Sequence, residues 1–260
     1  MSMSLSVVCL TGASLVNIGA AIYRLRNEPS AYPGMLYLVA SALLALLLAE
    51  RWVSLGQGPF ISMYEVLVSS LFSLSLIFGI SYIVSPVART GAPAVTLVLL
   101  IMGAWAIVSD PGKIPLPATY GNPWLWVHVL FGKLFLGTVL VASGIAIMQL
   151  ARTRRPEVAD SVALRAAWRW LSLALVFHTG MLISGAVWAQ DAWGRYWGWD
   201  PLETWAFATW LWMVLIIHAR ASYTLRPMVQ QVLLVGAFVI AFLTFFGIPF
   251  ISLSPHKGAV

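Results

Sequence analysis

Residues 64–85 read YEVLVSSLFSLSLIFGISYIVS, a run in which Glu65 is the only charged side chain. A bilayer demands about 20 predominantly apolar residues per helix. Hydrocarbon offers no partners to backbone N–H and C=O groups, so a run of this kind is a helix rather than an open strand. Breakers bound it on both sides: Gly56, Gly58 and Pro59 precede it, while Pro86 and Pro93 bracket the way into the next run. Working outward gives eight such runs, at roughly 4–22, 33–52, 64–85, 92–109, 124–150, 167–190, 201–220 and 228–252. The longest connection of mixed character is Asp110 to Pro123, with four prolines and two glycines.

Composition agrees. Of 260 residues 60% are hydrophobic and 9% charged, and mean hydropathy is +0.88; soluble domains carry about a quarter charged residues. The connections leave no room for a separate soluble domain. The expectation is an all-α polytopic membrane helix bundle, one membrane domain over residues 1–260. The first run lacks a basic segment ahead of it and a small-residue cleavage site, and reads as a retained helix rather than a signal peptide.

The formal charge of +6 does not point to nucleic acid, because the basic residues sit at the ends of apolar runs, where topology signals belong. Arg24, Arg26, Arg89, Arg152, Arg154, Arg155, Arg165, Arg169, Arg220 and Arg226 fall in alternate connections; Arg51, Lys113, Lys133, Arg195 and Lys257 fall elsewhere. The positive-inside rule then places the odd-numbered connections in the cytoplasm and both termini on the non-cytoplasmic side. That face would gather the 56–63 loop, the 110–123 link leading to His128, the loop around Trp193–Asp200 and the tail carrying His256. Cys9, the sole cysteine, permits no internal disulfide, no C-x-x-C centre and no C-x-x-C-H haem attachment site.

The least ordinary segment is Trp188 to Trp205, with five tryptophans and Tyr196 in eighteen residues, interleaved with glycines. An aromatic belt at the membrane interface needs only one or two such residues per helix end. This density reads instead as a shaped apolar surface for a flat ligand. Asp200, Pro201 and Glu203 form a helix start: an N-cap, a proline at the first helical position and a capping-box partner. Capping is the primary role of Asp200, and it fixes the loop above the helix.

The run W-G-R-Y-W-G-W-D-P-L-E-T-W-A at 193–206 resembles the WWD signature of haem-handling proteins of cytochrome c assembly, most closely the CcsA/ResC type. Ser184-Gly-Ala-Val-Trp188-Ala, Met63-Tyr64-Glu65 and His128-Val129 match the same family. The likeness spans residues 56–260; helices before residue 55 match only in being apolar. WWD relatives of the CcmC type carry fewer spans.

Four histidines lie in or beside spans, where ionisable groups are costly. His128, within Trp124-Leu-Trp126-Val-His128, reads from its residues as an interfacial histidine; the resemblance makes it the first external haem ligand. His256, in Ser254-Pro-His256-Lys-Gly, reads as a solvated tail residue. The resemblance makes it the second external ligand, although the family's Gly-Leu-His-Ser-Tyr-Gly wording is missing. His218 stands about 25 Å below Pro201 at 1.5 Å per residue. It either snorkels beside Arg220 or matches the family's membrane-embedded histidine, a third haem-iron ligand. His178 is extra to the family pattern and, counted from Trp188, lies about 15 Å deep; it is a weaker haem-binding candidate. Arg195 is either a solvated arginine or a bidentate partner for a haem propionate.

The resemblance implies haem b as cargo, held by Trp188, Trp193, Trp197, Trp199 and Asp200 with the histidines as ligands. It further implies presentation to apocytochrome c thiols in a C-x-x-C-H motif, hence the haem-binding subunit of a holocytochrome c synthase. A CcsB/ResB-like membrane subunit and a thioredoxin-like thiol reductant would complete the system, in a cytoplasmic or thylakoid-type membrane. Two other classes compete. A membrane b-type cytochrome would pair histidines across a bundle, whereas each histidine here stands alone on its segment. A haem exporter of CcmC type without synthase activity, or another transporter, would favour broken helices in corresponding halves.

Overall fold

The computed structural model describes residues 3–26, 30–58, 61–112, 114–115, 117–152 and 161–248. Among them the chain is all-α, with eight long helices: α1 Met3–Arg26, α2 Tyr32–Leu55, α3 Met63–Val84, α4 Ala92–Val108, α5 Pro123–Arg152, α6 Ser161–Trp193, α7 Pro201–Ser222 and α8 Pro227–Phe242. All eight are long and apolar enough to cross a membrane. They answer one for one to the apolar runs.

Starts and stops follow side-chain chemistry. Pro33, Pro93, Pro201 and Pro227 sit in the first turns of α2, α4, α7 and α8, where a missing N–H costs nothing. Capping boxes open α3, from Ser62 and Glu65, and α7, from Asp200 and Glu203. Helix α8 closes in a π-helical turn, Leu243–Gly247.

The boundaries differ from the apolar runs most at α6. This helix has 33 residues, about 50 Å by rise. Arg165 and Arg169 therefore lie in its first turns rather than in a connection, and Trp188 and Trp193 lie in its last turns rather than in a loop. An apolar-run reading stops at charge; the backbone ladder continues through residues such as Ala, Leu and Arg that favour helix.

The chain forms two compact units, Met1–Leu116 and Pro117–Val260. In the first, α1 packs on α2, α2 on α3, α3 on α4, and α4 returns to α1. Tyr37, Phe78 and Tyr82 fill its centre, with the Tyr37 hydroxyl 2.7 Å from Thr96 Oγ1. In the second, α5 packs most extensively on α6, α6 on α7, α7 on α8, and α8 on α5. Polar side chains stitch these helices where lipid would supply no partner. Ser143 donates to the Leu234 carbonyl at 2.8 Å, Thr209 and Thr244 hydroxyls meet at 2.9 Å, and Trp210 donates to Thr179 Oγ1 at 2.9 Å.

Candidate functional site

The site assembles at one end of the second unit, where α5 begins, α6 ends and α7 begins. His128 sits in the second turn of α5, half-buried against α6. Its Nδ1 lies 2.8 Å from the Met181 carbonyl oxygen. A carbonyl can only accept, so Nδ1 carries the proton, and in the neutral ring Nε2 holds the lone pair. The ring rests directly on Gly185: a Cβ at that position would stand 2.6 Å from Nδ1 and 2.9 Å from Cε1. Only glycine permits that approach.

Next along α6, Trp188 lies nearly parallel to the His128 ring, at 6.1 Å between centroids and 24°. Trp188 is 2% exposed and donates its indole N–H to the Thr119 carbonyl at 3.0 Å. Tyr120 meets it edge-on at 5.8 Å, and Trp193 meets it at 4.9 Å and 62°. Burial pushes the Tyr120 phenol pKa up. Asn122 donates to Asp191 Oδ2 at 2.8 Å and accepts from the Trp124 N–H at 2.8 Å, tying the 117–122 link to both α6 and α5. Trp188 is thus a buried post beneath the surface, whereas the sequence reading placed it among the ligand-facing tryptophans.

The connection from α6 to α7 is only Gly194–Asp200. Gly194 has φ 74°, a left-handed helix end. Glu203, itself 9% exposed, reaches back so that Oε2 accepts from the Gly198 N–H at 2.7 Å and the Asp200 N–H at 3.3 Å. Asp200 Oδ1 in turn accepts from the Glu203 N–H at 2.8 Å. One carboxylate thus fixes both the helix start and the loop before it. On that scaffold Trp199 is 68% exposed and Tyr196 61% exposed. Trp199 has φ 56°, an uncommon conformation for a bulky side chain. Trp197 is half-buried, meets Trp199 edge-on at 5.8 Å and Phe207 at 6.2 Å, and keeps its indole nitrogen shielded without a partner. The exposed Arg195 folds over the bare Gly198, whose Cβ would lie 3.0 Å from Arg195 Nε.

His128, Trp188 and Trp193 therefore meet, while Trp197 and Trp199 pack with Phe207. The remaining histidines stand apart. His178 is wholly buried mid-way along α6, stacked on Phe135 of α5 at 4.0 Å and 12°, with neither ring nitrogen hydrogen-bonded. Helix α6 runs on to Trp193, so His178 lies about 15 Å along it from Trp188 and about 22 Å from its end. His218 is exposed near the far end of α7, its Nε2 3.5 Å from Ser222 Oγ. His256 lies outside the described residues. Among the described residues no three His, Cys, Asp or Glu side chains cluster as a metal site.

Four contributors are not marked in the sequence, the Met181 carbonyl, Thr119, Tyr120 and Phe207, and Gly185 enters only within the Ser184-Gly-Ala-Val-Trp188-Ala match. Gly185 had a signal. Its position one turn before Trp188 and one after Met181 puts all three on one helix face. The link residues carried none beyond adjacency to Pro123.

Comparison with known proteins bears on the same residues. The family described as Cytochrome C assembly protein matches residues 34–256, reaching further toward the N-terminus than the motifs. The cytochrome c biogenesis protein CcsA of Atropa belladonna is 29% identical over 251 residues, covering 81% of this chain and 80% of that protein. Its namesake in Chlamydomonas reinhardtii is 27% identical, covering 94% of this chain and 72% of that protein. A solved structure of the cytochrome c haem lyase CcmF superposes with TM-score 0.66 at 18% identity, over 94% of this chain. This chain spans 46% of that larger one, and the likeness is one of fold. A family match running unbroken through α2 to α8, with the tryptophan connection inside it, makes this chain a member of the cytochrome c assembly protein family, of CcsA type.

Proposed function

We propose that this protein, which acts in cytochrome c biogenesis as its family does, holds haem against the 194–200 loop and presents it to apocytochrome c. The observation that carries this reading is His128, with Nδ1 spent on the Met181 carbonyl and the ring packed on Gly185 beside Trp188. A histidine whose second nitrogen is tied to a carbonyl is oriented for ligation through the other. His128 is the proposed iron ligand on the loop side, with His256 as its opposite number. Trp193, Trp197 and Trp199 offer apolar area to the porphyrin. Arg195 makes no ion pair among the described residues and suits a propionate. Asp200 acts through Glu203, holding the loop rather than touching cargo.

The chemistry served is addition of each apocytochrome thiol across a haem vinyl group. A carbon–sulfur bond forms, the thiol proton goes to the other vinyl carbon, and nothing leaves. The protein's contribution is position, which turns an encounter into a near-unimolecular step. The thiols must arrive reduced, and a lone buried Cys9 supplies no dithiol, so a thioredoxin-like reductant is proposed alongside a CcsB/ResB-like membrane subunit. The loop is proposed to face the non-cytoplasmic side, by the arrangement of arginines. His218, about 25 Å along α7 from the loop, is proposed to meet haem at the other end.

Replacing His128 with Ala should lower co-purified haem by at least about tenfold and depress holocytochrome yield in parallel. Unchanged haem content in H128A removes the ligand assignment. Haem that is retained tightly and cycles between redox states without transfer would favour a b-type cytochrome instead.

A further inference from the structure

At the end of the second unit opposite the tryptophan loop, a cavity of about 310 Å³ is lined by Arg165, Arg220, Tyr223, Thr224 and Gln230, with Leu164 and Leu225. Two guanidinium groups share it and sense each other's charge. Among the described residues neither pairs with a carboxylate. Like charges side by side are unfavourable unless an anion joins them.

The cavity wall is built to hold one of these groups still. The Arg220 guanidinium lies over the Trp168 ring, 4.9 Å from its centroid. Trp168 is wholly buried and donates its indole N–H to Gln230 Oε1 at 2.9 Å. Gln230 donates in turn to the Leu225 carbonyl at 2.8 Å, pinning the link between α7 and α8. The cation is thus held over the indole at the wall of the cavity that Arg220 lines. A planar fork of this kind recognises phosphate oxygens in pairs. Arg220 lies in the last turn of a membrane-length helix, and Arg165 in the second turn of another. Span ends lie at the depth of lipid headgroups.

We propose that Arg165 and Arg220 form a phosphate-binding site, whose ligand is the phosphodiester of an anionic phospholipid seated between the start of α6 and the α7–α8 link. Nothing in it requires the haem reading.

The test is native mass spectrometry of the full chain in detergent, titrated with phosphatidylglycerol, phosphatidylcholine or inorganic phosphate. Selective retention of phosphatidylglycerol is expected, weakened about fivefold or more by R220Q and by R165Q separately. Arg226 is an exposed arginine at the start of α8 that does not line the cavity, so R226Q should bind as the parent does. Inorganic phosphate that binds with the same dependence on both arginines supports the site with a soluble phosphate compound as its ligand. Equal retention of the two lipids with no phosphate binding overturns the proposal, and so does a loss in R226Q matching that in R220Q. Thermal melts of the three variants separate lost binding from lost fold.

Discussion

The third helix of each unit opens with the same device, and the two copies do different work. At α3, Ser62 and Glu65 make a capping box, and Glu65 Oε2 also accepts from the Ile61 and Ser62 N–H groups at 2.9 and 3.1 Å. Its other oxygen meets Arg51 at 2.7 Å, with both side chains under 5% exposed. Arg51 continues to the Gly112 carbonyl at 3.0 Å and lies over Tyr64. Charge is balanced, and the helix end is locked. At α7, Asp200 and Glu203 make the same box, yet among the described residues no cation pairs with Glu203. Its spare bonding goes to the Gly198 N–H, within a loop that exposes Trp199 and Tyr196. One box closes a structure; the other holds a surface open.

The largest expected effect tests the lock. Replacing Arg51 by Ala strands the Glu65 carboxylate in a buried place, a loss of about 3–5 kcal/mol. Denaturant or thermal unfolding in detergent should read it directly, and R51A/E65Q should recover part of the loss because the stranded charge is gone. If R51A unfolds like the parent, the ion pair contributes nothing and the contrast between the two boxes fails.

How far this contrast was legible depended on the range of the interaction. Asp200-Pro201-Leu-Glu203 is local, so its capping role could be read from spacing alone. The eight spans were legible because lipid imposes their length. Arg51 stood out only as a stray basic residue, since its partner lies fourteen positions away on another helix and no periodicity marks the pair. The contact that orients His128 was invisible for a different reason: the acceptor is the backbone of Met181, and every residue has a carbonyl. That α6 runs on to Trp193 was not legible either, because the helix extends past the point where apolar character ends.

Next in size is Gly185, where an added methyl group must push the His128 ring aside. Overpacking of this kind costs about 1–3 kcal/mol, but the sharper signal is spectroscopic. G185A should lower haem retention and shift the reduced absorption maximum while leaving helix content intact, and exogenous imidazole should restore part of the bound haem. An unshifted spectrum would mean that the ring's seat on α6 has no bearing on cargo.

Glu203→Ala comes third, removing the carboxylate half of the box and its two hydrogen bonds, from the Gly198 and Asp200 N–H groups, at a cost of about 1–2 kcal/mol. The loop should loosen first, seen as faster proteolysis between Gly194 and Asp200, with haem retention falling alongside. If E203A destabilises the fold as much as R51A does, the second box is a lock like the first.

The smallest effect runs the other way. Trp199 holds φ at 56°, a left-handed conformation costing a side chain about 1–2 kcal/mol. Trp199→Gly removes that strain, and glycine's extra unfolded-state freedom returns about 0.5–1 kcal/mol of the gain. Little packing is lost, because the indole is 68% exposed. The net expectation is unchanged or slightly raised stability together with weaker haem binding. Strain retained at an exposed aromatic residue makes sense where the exposed face has a use. W199G that is destabilised, or that keeps its full haem content, would show Trp199 to be packing for Trp197 and Phe207, and the open surface at α7 would then begin at Trp197.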